Sequence, residues 1–137
     1  MKWIYDDGGR SNYYKAKYVR DCVCRALAIA NDRDYKEVYK TIRTISGETP
    51  RNGVCESVYA KILKAWGWKC IECNDKDIYL RADDLPNGIV ICKIQRHLVA
   101  VKDKTIYDTW DCSKARKGKY KGQHDVVKVI KYWVKSA

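Results

Sequence analysis

The sequence predicts an α+β fold in which N-terminal helices pack on a C-terminal antiparallel β-sheet. Three observations lead there. Apolar residues recur at helical spacing between residues 22 and 65, the period changes to alternation from Gly67 onward, and the later segments are separated by the turn-forming stretches Pro86-Asn87-Gly88 and Lys102-Asp103-Lys104. With 137 residues, 46% of them hydrophobic, the chain holds enough apolar material for one core and too little for two, so residues 1–137 are expected to form a single domain.

Residues 1–18 read as an irregular lead-in with a turn at Asp7-Gly8-Gly9. Asp21 is placed to cap the first helix, where Cys22, Val23, Ala26, Leu27, Ile29 and Ala30 share a broad apolar face and Asn31-Asp32 closes the element. Asp34 with Glu37 three residues on forms a capping-box pattern, and Tyr35, Val38, Tyr39 and Ile42 supply the buried stripe of a second helix. A loop rich in breakers (Gly47, Pro50, Gly53) leads to a third helix over 54–65, with Val54, Val58, Ile62 and Ala65 inward and Gly67 stopping it. The strands follow: "GWKCIEC", then "LPNGIVICKI", then "HLVAV" and "TIYDTW" as a hairpin about residues 102–104, and finally "VVKVIKYWV". Residues 113–137 thus form a basic C-terminal segment ending in a strand.

Seven cysteines cannot all pair within one chain, and their spread from Cys22 to Cys112 lacks the dense spacing of a stapled secreted scaffold. A reducing, cytoplasmic location is expected. The N-terminus has no apolar stretch resembling a signal peptide, and no apolar run approaches the roughly 18 residues that crossing a bilayer requires. The net charge of +11 is unevenly spread: residues 113–137 hold eight Lys/Arg against Asp125 alone. Lys114, Arg116, Lys117, Lys119 and Lys121 are therefore candidates for contact with nucleic acid or an acidic protein. The stretch from Arg10 to Arg25, interleaved with Tyr13, Tyr14 and Tyr18, has a similar composition. A lysine-rich solvated surface accounts for the same residues without any partner.

Two thiols stand one residue apart at the start of the first helix. Positions two apart point roughly 200° away from each other, so Cys22 and Cys24 cannot serve one site. Cys22 shares the apolar face with Ala26 and Ile29 and should face the sheet, whereas Cys24 lies with Arg25 and Asn31. Cys22 also occupies the first turn, where free backbone amides and the helix dipole favour a thiolate and could stabilise an oxyanion. Such a nucleophile needs a base, and the base needs an orienting acceptor. His97 opens the hairpin; if its turn centres between Asp103 and Lys104, residue 97 pairs with 110 and Asp108 falls diagonally beside the imidazole on the same face. A shift of one residue brings Asp111 opposite His97 instead.

The stretches "DCVCRALAIANDRDYKEVYK", "NGV", "KILKAWGWK" and "HLVAVKDKTIYDTWD" together resemble small phage-encoded proteins of the papain-like cysteine peptidase superfamily, the C39-like bacteriocin-processing type in particular. The resemblance covers residues 13–111. It implies a papain-like fold and a hydrolase that cleaves a peptide, isopeptide or related amide bond in a host or phage protein, within the host cytoplasm. Cys22 would be the nucleophile, His97 the base and Asp108 the orienter, with the Cys22 backbone amide in the oxyanion hole and neither cofactor nor metal. Papain-like enzymes place a Gln upstream of the Cys as an oxyanion donor. No Gln precedes Cys22 here, and Asn12 is the nearest side-chain amide.

Rival sites are weaker. Cys70 and Cys73 could be half of a zinc site, but a second pair at ligand spacing is missing and two strand positions three apart point to opposite faces. No Gly-rich phosphate loop is present, and Asp83-Asp84 before Leu85-Pro86 fits a turn cap. The alternative from another class is a binding protein without catalysis, which uses the basic face to occupy nucleic acid or an acidic host protein.

Overall fold

In the computed structural model, which describes residues 1–15 and 19–135, three helices pack against a six-stranded, mixed, open sheet. The helices are α1 (Cys22–Asn31), α2 (Tyr35–Ser46) and α3 (Glu56–Ala65). The strands are β1 (Lys2–Tyr5), β2 (Trp68–Glu72), β3 (Ile89–Ile94), β4 (His97–Lys102), β5 (Thr105–Asp108) and β6 (Lys131–Lys135), in the spatial order β1-β5-β4-β3-β6-β2. Tyr18, one of the tyrosines singled out in the N-terminal basic stretch, lies outside the described residues.

The α+β class and the order of its elements agree with the periodicity, with three corrections. Residues 2–5 are not irregular: they form β1, parallel to β5 with Lys2 opposite Thr105 and Tyr5 opposite Asp108, so the sheet is mixed rather than wholly antiparallel. Trp3, Ile4 and Tyr5 all remain largely exposed. No buried face therefore imposes the alternation by which a strand is recognised. The closing strand is shorter than its β-branched run, because Val127 and Val129 bond instead to the 78–80 loop (Leu80 N–H to Val127 O, 2.7 Å; Val129 N–H to Ile78 O, 2.8 Å). β6 then inserts between β3 and β2. Finally, α3 begins at Glu56 and buries Tyr59, Ile62 and Leu63, leaving Ala65 exposed.

Both faces of the sheet are covered. Ile91, Leu98, Ala100 and Trp133 meet the helices, while Val90, Cys92, Val99, Val101 and Ile106 form a second core with Leu80, Leu85 and Val129. α1 lies centrally: every residue from Val23 to Ala30 is buried. Its flank is held by the N-terminal turn, where Gly8 (φ 69°) packs so closely that a Cβ would come within 3.1 Å of the Arg25 backbone. That position requires glycine on both counts.

The β4–β5 hairpin fixes the register on which the site depends. Asp103 (φ 47°) and Lys104 (φ 64°) both take left-handed conformations, as a two-residue turn matched to strand twist demands. Lys102 pairs with Thr105 and Ala100 with Tyr107, which is the register that puts 97 level with 110. The ladder stops at Ala100–Tyr107, so His97 and Asp108 lie beyond its last pair, at the end of the sheet where α1 begins.

Candidate active site

At that end of the sheet three elements bring one reactive side chain each. Cys22 is the first residue of α1, His97 the first of β4 and Asp108 the last of β5. His97 Nε2 lies 2.5 Å from Asp108 Oδ2. The imidazole also stands beside the Cys22 side chain, near enough to act on its thiol by hydrogen bonding and charge. With Nε2 committed to the carboxylate, Nδ1 is the ring nitrogen left for sulfur. The Leu98 backbone N–H provides the thiol with a second donor.

The electrostatics follow from these contacts. Burial pushes the Cys22 thiol up, but the His97 hydrogen bond and charge, the Leu98 amide and the nearby Arg25 outweigh it and hold the thiol below its ordinary value. Burial opposes charge on His97 as well, yet Asp108 and Cys22 raise the imidazole to about 9. Asp108 is desolvated too, and is nonetheless kept below the usual carboxylate range by His97, Arg25 and the Thr109 amide. Each charge thus supports the next: the imidazolium favours the thiolate, and the carboxylate favours the imidazolium. The other shifted thiols move the opposite way: burial raises Cys24 to about 12 and holds Cys70, Cys73, Cys92 and Cys112 above their ordinary value.

Beneath the triad lies a buried charge network that the sequence analysis missed. Arg25, one turn along α1, reaches Asp108 Oδ1 through Nη2 (3.2 Å) and bonds Asp21 through Nη1. Asp21 also receives Arg10 Nη1 (3.0 Å) and the Tyr35 hydroxyl (2.7 Å). It makes no side-chain cap to α1, contrary to its expected role; the carboxylate is spent on the guanidinium groups. The first-turn amides of α1 are thus left uncapped. Asp21 and Arg25 are one helical turn apart, but Arg10, Tyr35 and Asp108 join them only when the N-terminal turn, α2 and β5 converge on α1, so the local pair does not announce the network.

The remaining expected residues separate. Asp111 does not reach His97: its carboxylate accepts from Ser113 (N–H 3.2 Å, Oγ–H 2.6 Å) and stands 3.5 Å from His124 Nδ1. Asn12 lies exposed in the Arg10–Asn12 turn and does not line the cleft that holds Cys22; the side-chain amide on that wall is Gln95, in the β3–β4 turn. Of the five candidate basic residues between 114 and 121, Arg116 turns to the cleft and stacks on Trp110 at 3.7 Å. Lys114, Lys117, Lys119 and Lys121 stay exposed on a loop that folds back on itself through Ala115 and Gln123. Cys70 is exposed and Cys73 buried, as opposite strand faces require.

His97, Asp108 and Cys112 have ligand atoms within 4.8 Å of one another and could together hold a metal ion. Both Asp108 oxygens are already engaged, by His97 on one side and by Arg25 and the Thr109 amide on the other, and Cys112 is buried with its thiol held protonated. In this arrangement Asp108, itself fixed by Arg25 and the Thr109 amide, is a hydrogen-bonded support for the imidazole. Cys22 itself is half-buried and opens on a cleft of about 760 Å³. No described helix is long and apolar enough to cross a membrane. Comparison of the chain with protein-family models, curated proteins and solved structures gives no match.

Proposed function

We propose that the protein is a papain-like cysteine hydrolase that cleaves a peptide, isopeptide or related amide bond. One observation carries the reading: a single imidazole, bonded to a buried carboxylate, stands beside a thiol that it holds below its ordinary pKa, and both open on one cleft. Cys22 Sγ attacks the carbonyl carbon of the substrate, and the oxygen takes up negative charge near the uncapped amides at the start of α1. His97 then gives its Nδ1 proton to the leaving nitrogen as the C–N bond breaks, which leaves a thioester on Cys22 and frees the amine. Water attacks the thioester carbonyl, passing a proton to His97, and the carboxylic acid leaves as the thiolate returns. Asp108 keeps Nε2 as the bonded nitrogen throughout and stabilises the imidazolium.

The test is alkylation by iodoacetamide near neutral pH, followed by mass mapping. Cys22 should be modified well ahead of the other six thiols, including the exposed Cys55 and Cys70. If Cys55 or Cys70 reacts as fast as Cys22, the nucleophile assignment fails. The exposed lysines of the 114–124 loop favour a second reading, a non-catalytic protein that binds nucleic acid or an acidic host protein. In that case Cys22→Ala leaves function intact, whereas charge reversal at Lys114, Lys117 and Lys119 abolishes it.

A further inference from the structure

The Cys22 cleft is lined by six cationic residues and a single acid. Arg10 and Arg25 are held by Asp21, and Arg25 by Asp108 as well, while Lys93 pairs with Glu56. Arg20, Arg96 and Arg116 remain: all three are exposed, line the cleft and have no acidic partner among the described residues. They are held in place by different means. The Arg20 backbone is tied to Arg51 (N–H to O, 2.9 Å), Arg96 sits in the tight β3–β4 turn with φ 56°, and Arg116 lies flat on Trp110, whose ring is 5.2 Å from that of His97. Val19, Val23 and Val54 add apolar lining to the same cleft.

The chemistry of acyl transfer gives this cleft a direction. The leaving nitrogen must lie within reach of the proton donor, so the leaving half of a substrate occupies the His97 side of the cleft. Arg96 and Arg116 therefore face the leaving half. We propose that the substrate class is acidic peptides, whose carboxylates after the scissile bond are held by Arg96 and Arg116 while an apolar side chain rests against the valines that line the cleft. This direction rests on the hydrolase reading, although the cationic wall does not. Nucleic acid fits less well. Sequence-tolerant binding of single strands relies on free aromatic faces, and the Trp110 ring is already covered by Arg116 and flanked by His97.

The test uses Cys22→Ala protein, which cannot turn over substrate, and fluorescein-labelled peptides that place one apolar residue before three Glu, three Gln or three Lys. By anisotropy at low salt, the Glu peptide should bind about tenfold or more tightly than the Gln peptide, and the Lys peptide more weakly than either. Arg96→Glu with Arg116→Glu should remove the Glu preference, while reversing the exposed Lys61 of α3, outside the cleft, should leave it. Equal binding of the three peptides overturns the proposal, as does a single-stranded oligonucleotide that displaces the Glu peptide at lower concentration than the unlabelled peptide itself. In protein with Cys22 intact, the ratio of iodoacetate to iodoacetamide alkylation at Cys22 should fall in the Arg96/Arg116 variant. If Cys22 is unreactive to both reagents while the Glu preference holds, the hydrolase reading fails and the acidic-peptide cleft stands.

Discussion

α1 and α2 each follow an aspartate in the N-cap position, and the two aspartates do opposite things. Asp34 accepts hydrogen bonds from the amides of Lys36 (3.1 Å) and Glu37 (3.3 Å), and α2 behind it is amphipathic, with Tyr35, Val38, Tyr39 and Ile42 buried. Asp21 caps nothing; it is fully buried against Arg10, Arg25 and Tyr35, and the helix behind it is buried all round. One helix is secured locally, by chemistry legible in a few consecutive residues. The other gives up its local cap, so that its first turn opens on the cleft and its second holds the carboxylate that orients His97. The difference marks α1 as the element shaped by the site.

Four measurements bear on that contrast. The largest effect is expected at the imidazole: His97→Ala should slow Cys22 alkylation near neutral pH by about 10²-fold or more, since both the hydrogen bond and the charge that stabilise the thiolate go with it. Next, Asp21→Ala leaves Arg10 and Arg25 buried without their shared acid and should cost about 3–5 kcal/mol in urea unfolding, if the variant folds at all. Asp21→Asn, which keeps the shape but not the charge, should be milder, and it should disturb Cys22 reactivity even where it folds. The pH profile comes third. His97 holds its proton up to about 9, so the thiolate–imidazolium pair and any turnover that depends on it should fall as pH rises through about 9. On the acid side the rate should fall only below the lowered Cys22 value. The smallest effect is at the other aspartate: Asp34→Ala should cost about 1 kcal/mol of stability and leave Cys22 alkylation unchanged. Equal costs at Asp21 and Asp34 would break the comparison.

The legible parts of the molecule were those with local causes. The stripe of α2 and the apolar runs of β3 and β4 are each visible in consecutive residues, whereas the register of the hairpin, and with it the choice between Asp108 and Asp111, stays open in the sequence and is decided by the turn at Asp103-Lys104. The illegible parts had distant ones. β1 buries no face of its own and is a strand only because β5 offers an edge. Arg25 resembles the polar side of an ordinary helix, paired with Asp21 one turn away, until Asp108 is brought to it. Asn12 was the nearest amide along the chain, whereas the turn between β3 and β4 carries Gln95 to the cleft from more than seventy residues after Cys22.

Asp108 joins three things at once: the imidazole of β4, the guanidinium of α1 and the chain as it leaves β5. A ring held in this way has no hinge of its own. Heating cannot loosen His97 without also pulling on the central helix, so loss of reactivity and loss of the fold should occur together, at one temperature and in one cooperative step.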